Sequence, residues 1–340
     1  MDSSHNGRHA AKLFSRRWAT DSHRPGRLPK VLLIGIAGFL FVLEASHLRA
    51  SQTKAGTVES AARENDEGLA LLQQGNLQAA SKKFHDALRT EPGFADAHAN
   101  LGSVLLATGS IAAAIQECTA AEKLSPESLK ARLCLGKALR LLGDLTGALK
   151  QYQVALKLQP DSAEVHNDLG ITLLQNHDVP DALREMKQAI KLNPQSAHFH
   201  NNLGIILTIK GELSGAIQEF HQAVLLDDKL CQAYNNLGLA WQKMGRLPEA
   251  VSQLREAVHC DPENAETHYS LGLALQREGD ATEAIPQFKE AIRLDPRNPR
   301  PHYNLGVALA KEGNRAEAQL EFSRFRRLQQ ETKPVRGSSH

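Results

Sequence analysis

Glycine recurs at every thirty-fourth residue, eight times without interruption: Gly68, Gly102, Gly136, Gly170, Gly204, Gly238, Gly272 and Gly306. So regular a period confines the chain to an array in which one small unit stacks on the next, because a unit of this size cannot bury a core alone. Units counted from Ala61, Ala95, Leu129, Ala163, Ala197, Cys231, Ala265 and Pro299 put glycine at the eighth place and alanine at the twentieth (Ala80, Ala114, Ala148, Ala182, Ala216, Ala250, Ala284, Ala318). Leucine is usual at the eleventh place, and Phe84, Tyr152, Phe220, Phe288 and Phe322 stand at the twenty-fourth. Small residues on both halves of a unit, with large ones beside them, predict two helices crossing closely.

Turn chemistry supports the same division. The fifteenth place is glycine except at His177, which suits a left-handed helix stop, and Asn76, Ser110, Asp144, Asp178, Asp280 and Asn314 follow as N-caps of a second helix. Pro180 and Pro248 fall in its first turn, Pro92, Pro126, Pro160, Pro194, Pro262 and Pro296 close the unit, and Ser128, Ser162, Ser196, Asn264 and Asn298 can cap the next first helix.

The pattern L-G-x2-[LW]…G…A-x3-[FY]-x2-A…P resembles the tetratricopeptide repeat (TPR) and covers residues 61–332. The resemblance implies an all-α fold: a right-handed superhelical solenoid of eight 34-residue helix-turn-helix repeats, whose first helices line a concave groove for a peptide or partner helix. Glu67, flanked by Glu64 and Asp66, and Phe325, in place of a small residue, suit the two ends of the array.

Outside the array, residues 1–30 form a basic tail expected to be disordered, as is the tail 333–340, and 51–60 is expected to be a linker. Residues 31–50 carry the apolar run 31–43, VLLIGIAGFLFVL, which predicts one short hydrophobic helix. Its length is that of a secretory signal, and as a helix it reaches about 20 Å against a hydrocarbon core of about 30 Å. The scarcity of an A-x-A site near residues 44–51 favours a retained signal-anchor over cleavage and release. The basic flank would stay in the cytoplasm and the array would stand on the other side of the membrane. The alternative is a secreted or periplasmic array after cleavage.

Residues 1–60 hold nine Lys and Arg against four Asp and Glu, whereas 61–332 hold 29 against 34. The acidic array therefore lacks the footprint of a nucleic-acid binder. Cys118, Cys134, Cys231 and Cys260 have no zinc-site spacing. They are expected to be small packing residues, with a Cys231–Cys260 disulfide as the sharper alternative, since both fall at one end of a helical hairpin.

Helix geometry places the second, fifth, sixth, ninth and thirteenth places of each first helix on one face, opposite the packing stripe. That face carries an apolar strip, Ile171, Ile205, Leu239, Leu273 and Val307, edged by Asn167, Asn201, Asn202, Asn235, Asn236, Tyr269, Tyr303 and Asn304, with Asn100 earlier. Such a strip suits an extended peptide, whose backbone groups an amide can meet from either end. Asn100, Asn202, Asn236 and Asn304 are similar to the asparagine ladder in the TPR region of O-linked N-acetylglucosamine transferases, interrupted here by Asp66, Cys134, Asp168 and Ser270. The consecutive Lys/Asn, Asn, Lys/Arg set of the chaperone-tail clamp is missing. His98, His166, His200, His268 and His302 share the fourth place, too far apart from repeat to repeat for one ion, and are expected to be amphipathic ring fillers.

No phosphate loop, nucleophile elbow or H-E-x-x-H motif occurs, and the array leaves no segment for a catalytic domain. The expectation is a noncatalytic scaffold, without cofactor or metal, that binds a protein or peptide partner and meets a membrane through 31–43. The alternative is an accessory TPR subunit of an enzyme or an envelope-assembly machine.

Overall fold

The computed structural model describes residues 56–331. The basic tail, the apolar run 31–43 with the location it implies, and the tail 333–340 lie outside the described residues. The chain divides into two compact units between Ala62 and Arg63. Of the first unit, 56–62 is described and is helical.

Among the described residues there are sixteen helices and no strand. The first of each pair are α1 (56–73), α3 (Ala95–Ala107), α5 (Leu129–Leu142), α7 (Ala163–Gln175), α9 (Ala197–Lys210), α11 (Cys231–Lys243), α13 (Ala265–Glu278) and α15 (Pro299–Lys311). The second are α2 (Leu77–Thr90), α4 (Ile111–Leu124), α6 (Leu145–Leu158), α8 (Val179–Leu192), α10 (Leu213–Leu226), α12 (Leu247–Cys260), α14 (Ala281–Leu294) and α16 (Arg315–Glu331). None of the described helices is long and apolar enough to cross a membrane.

Short polar side chains start these helices. Asn76, Asp144, Asp178 and Asp280 accept from the backbone N–H three residues on, as do Ser128, Ser162, Ser196 and Asn264. Ser110 makes no such bond. Seven glycines at the fifteenth place adopt left-handed φ, and His177 adopts it too, at 63°.

The glycine at the eighth place is required by approach. A Cβ on Gly204 would lie 2.5 Å from the Phe220 ring, and one on Gly272 would lie 2.6 Å from that of Phe288. Both rings are buried, as are the eight alanines at the twentieth place. Each such ring withdraws enough apolar surface to contribute about 1.5–3 kcal/mol. Within the second unit each first helix from α3 onward also touches the first helix of the following repeat, whereas among the described residues no second helix touches another second helix. The stack therefore bends toward its first helices, which form the inner face.

All four cysteines are paired, which corrects the expectation that they are merely packing residues. Cys231–Cys260 ties the start of α11 to the end of α12, with Cα atoms 5.4 Å apart. Cys118–Cys134 joins α4 to α5 across two repeats, at 5.5 Å. Cys118 stands at the twenty-fourth place, where five other repeats carry an aromatic ring, and a Cβ on Gly102 would meet both sulfurs at 2.6 Å, so the bond fills the space beside the glycine that a ring fills elsewhere.

Candidate functional site

Three tiers of side chains occupy the inner region, and they perform different tasks. At the base of five first helices, the fourth-place residue (His98, Arg132, His166, His200 or His268) joins its own second helix or the preceding one to the closing carbonyl of the repeat before. His166 reaches Glu185 through Nδ1 (2.8 Å) and the Pro160 carbonyl through Nε2 (2.9 Å), and His200 does the same with Glu219 (2.6 Å) and the Pro194 carbonyl (3.1 Å). His98 joins Glu117 and the Pro92 carbonyl, and His268 joins Gln287 and the Pro262 carbonyl. His302 meets Glu321, and Arg132, in the same place, joins Glu122, Gln151 and the Pro126 carbonyl. His98, His166, His200 and His268, with Arg132, are directional pins between repeats, a role that ring filling does not describe, whereas the His302–Glu321 bond lies within one repeat.

The second tier is amide to amide. Asn100 Nδ2 donates to Asn65 Oδ1 (2.7 Å), Asn202 to Asn167 (2.8 Å), and Asn236 to Asn201 (2.9 Å). Asn304 Nδ2 donates to the Tyr269 hydroxyl at 3.0 Å, and Arg300 lies over that ring, 4.4 Å from its centroid. Asn100, Asn167, Asn201 and Tyr269 are buried. The sixth place of one repeat is thus bonded to the fifth of the repeat before it, and the predicted amide edge already holds the array together. Asn235 is the exception, since its buried Oδ1 has no donor among the described residues.

Between α5 and α7 the ladder gives way to charge. Lys137 Nζ donates to Glu164 Oε1 at 2.7 Å and lies 3.3 Å from Asp168 Oδ2, off the line of a hydrogen bond. Burial pushes the Asp168 carboxyl above the ordinary carboxylate range, and the Lys137 charge only partly opposes this. For Lys137 burial works against the charge, but the attraction of Asp168 and the bond to Glu164 outweigh it and raise its pKa.

The third tier is the apolar strip. Ile171, Ile205, Leu239 and Leu273 are half-buried, and Tyr303 and Val307 are exposed at 47% and 37%. Tyr303 sits 5.3 Å from the Phe325 ring on α16. Ile205, Asn236 and Leu239 come together at one cavity of about 330 Å³, shared with Ile209, Gln242, Lys243 and Arg277. The last two lie on the face read from the sequence but carry no signal there beyond their charge. Among the described residues no group of three His, Cys, Asp or Glu could hold a metal ion.

Paired helices, a small-residue seam and an inner face of first helices define a helical repeat protein of the interaction-scaffold class. Tetratricopeptide repeat models match residues 65–128 and 167–229 in one version, and 136–177, 243–279 and 277–313 in another. The chain belongs to the tetratricopeptide repeat family. No curated protein matches its sequence significantly.

Solved structures agree in fold. A monomeric mutant of IFIT1 with Gppp-AAAA superposes at TM-score 0.62 and 17% identity, over 79% of this chain and 71% of that one. The APC/C hetero-tetramer Cut9-Hcn1 gives 0.61 and 19% over 69% of this chain, which spans about half, 48%, of the chain it matches. A tetratricopeptide repeat protein from Parabacteroides merdae ATCC 43184 gives 0.55 and 16% over 74% of this chain and 99% of that one. At these identities the likeness is one of fold.

Proposed function

We propose that this protein is a noncatalytic scaffold whose inner face, a right-handed superhelical groove, holds a peptide segment or partner subunit at or beyond a membrane. The observation that carries the reading is the half-buried strip Ile205 and Leu239, open beside a cavity on the face where successive first helices meet. The pins and amide bonds preorganise that face, so a partner bears most of the ordering cost. Two disulfides suit an array in an oxidising compartment. The apolar run 31–43 behind seven basic residues would supply the anchor. Assembly with a separate catalytic or envelope-building subunit is the narrower form of the same reading.

Photo-crosslinking tests it in intact membranes. A benzophenone side chain at Ile209, on the inner face, is expected to capture a discrete partner, whereas one at Leu225, 67% exposed on the second helix α10, is expected to capture none. Capture from both positions alike, or from Leu225 alone, rejects the inner face as the binding surface. The mass of the N-terminal peptide from the same sample reports whether the segment 31–50 is retained.

A further inference from the structure

The cavity between α9, α11 and α13 joins an apolar floor to an unneutralised basic rim. Ile205, Ile209 and Leu239 supply the floor. Lys243, the last residue of α11, and Arg277, in the last turn of α13, supply the rim. Both cations are exposed, neither has an ion pair or hydrogen bond to another described residue, and no carboxylate lines the cavity. Neighbouring cations are engaged: Lys311 donates to the Gly279 carbonyl at 3.0 Å, and Arg300 pairs with Glu266 at 3.4 Å. Gln242 lines the same cavity while nine-tenths buried, and its Nε2 has no acceptor among the described residues.

We infer that this cavity is the specificity pocket of the groove and takes an aliphatic side chain of an extended partner segment whose flanking Asp or Glu side chains meet Lys243 and Arg277. The inference rests on the inner face being the binding surface, and it adds the chemistry of the occupant. A volume of about 330 Å³ accommodates a leucine-sized group with room for adjoining backbone. Two free cations at its mouth favour carboxylates, and guanidinium can meet a carboxylate in a bidentate pair. Nucleic acid is the poorer fit: the lining offers no exposed aromatic face for a base, since Phe220 is 2% exposed, and the array as a whole is acidic.

The test is selection of displayed random peptides on the full-length protein in detergent micelles. Enriched sequences are expected to carry Leu, Ile or Val flanked by Asp or Glu. Resynthesised with acetylated and amidated ends, they should bind the protein about tenfold more tightly than they bind Lys243→Gln/Arg277→Gln. Replacing their acidic residues by Asn and Gln should cause a similar loss. Both substituted residues are exposed, so circular dichroism of the variant should match the parent. Enrichment without acidic residues, no enrichment, a requirement for a free peptide C-terminus, or oligothymidylate binding that depends on the same two cations would each overturn the inference. If peptides without acidic residues are still released by Leu239→Ser, the groove stands and only its charge preference falls. If selected peptides ignore Leu239→Ser as well, both readings fall.

Discussion

Asn236 donates its side-chain amide to Oδ1 of Asn201, 2.9 Å away and 35 residues earlier, so two first helices are joined by groups that face the same groove. Asn201 is 3% exposed, so truncating its donor leaves an acceptor without water or partner. Asn236→Ala is therefore expected to lower stability by about 1–3 kcal/mol. Asn201→Ala with Asn236→Ala should cost less than the sum of the two, with a coupling of about 1 kcal/mol. Asn235→Ala is the control, because its buried oxygen already lacks a donor. Urea unfolding followed by circular dichroism measures all four proteins, and equal losses for Asn235→Ala and Asn236→Ala would dismiss the ladder as a stabilising device.

The Asp168 site should give stability a distinctive pH dependence. Burial raises its carboxyl above the ordinary range, so the folded chain holds this proton more tightly than the unfolded chain does. The resulting contribution is greatest below the unfolded value, about 4, and declines as pH rises through the higher folded value. Lys137, whose pKa is raised, contributes in full up to its unfolded value of 10.5 and is lost only as pH rises above that, so it is constant over the acid range. Asp168→Asn is expected to gain in melting temperature relative to the parent protein as pH climbs from about 4 toward neutrality. A gap between the two proteins that stays constant, or narrows, would show that the buried charge does not set this dependence.

What could be seen beforehand was steric or local. Gly204 against Phe220, the Asp144 and Asp280 caps, and the left-handed stop at Gly279 each involve residues within one repeat, where spacing alone constrains them. The unforeseen contacts cross between repeats or between places a single helix wheel treats separately. The amide bonds pair the fifth place with a sixth place in the next repeat, so a period of 34 hides an offset of 35. A signal for the histidine bonds within a repeat was present: His at the fourth place accompanies Glu at the twenty-third in His98 and Glu117, His166 and Glu185, His200 and Glu219, and His302 and Glu321. Cys118 visibly replaces the aromatic of the twenty-fourth place, but that Cys134 of the next repeat reaches the same space beside Gly102 is not read from spacing within one repeat. The pairing of Lys243 with Arg277 likewise depends on their both reaching one cavity.

His177 is the one non-glycine described residue with left-handed φ, at 63°, in the turn where seven other repeats use glycine. It is exposed and follows α7, so its Cβ carries a conformational cost that no burial offsets. His177→Gly relieves it, against a larger entropy loss from the unfolded chain. The net expectation is a gain of up to about 1 kcal/mol, whereas His177→Val should lose stability. Thermal unfolding of the two variants should move in opposite directions, and a common direction would mean that the turn is not strained at this residue.

The two disulfides differ in access, and that difference should order their reduction. Cys118 and Cys134 are 0% and 3% exposed, whereas Cys231 and Cys260 are half-buried at the rim of a second cavity beside Tyr234 and Glu256. Exchange requires a thiolate to reach a sulfur in line, so an external reductant meets the Cys231–Cys260 bond in the folded array and the Cys118–Cys134 bond only when the α4 and α5 pair opens. Brief treatment with dithiothreitol followed by iodoacetamide should label Cys231 and Cys260 first. Labelling of Cys118 and Cys134 should wait until denaturant is added. Each bond closes a short loop, of 29 and 16 residues in separation, and its loss should cost about 3 kcal/mol. Peptide mass spectrometry reads the order directly, and simultaneous labelling of all four cysteines without denaturant would show that burial does not protect the inter-repeat bond.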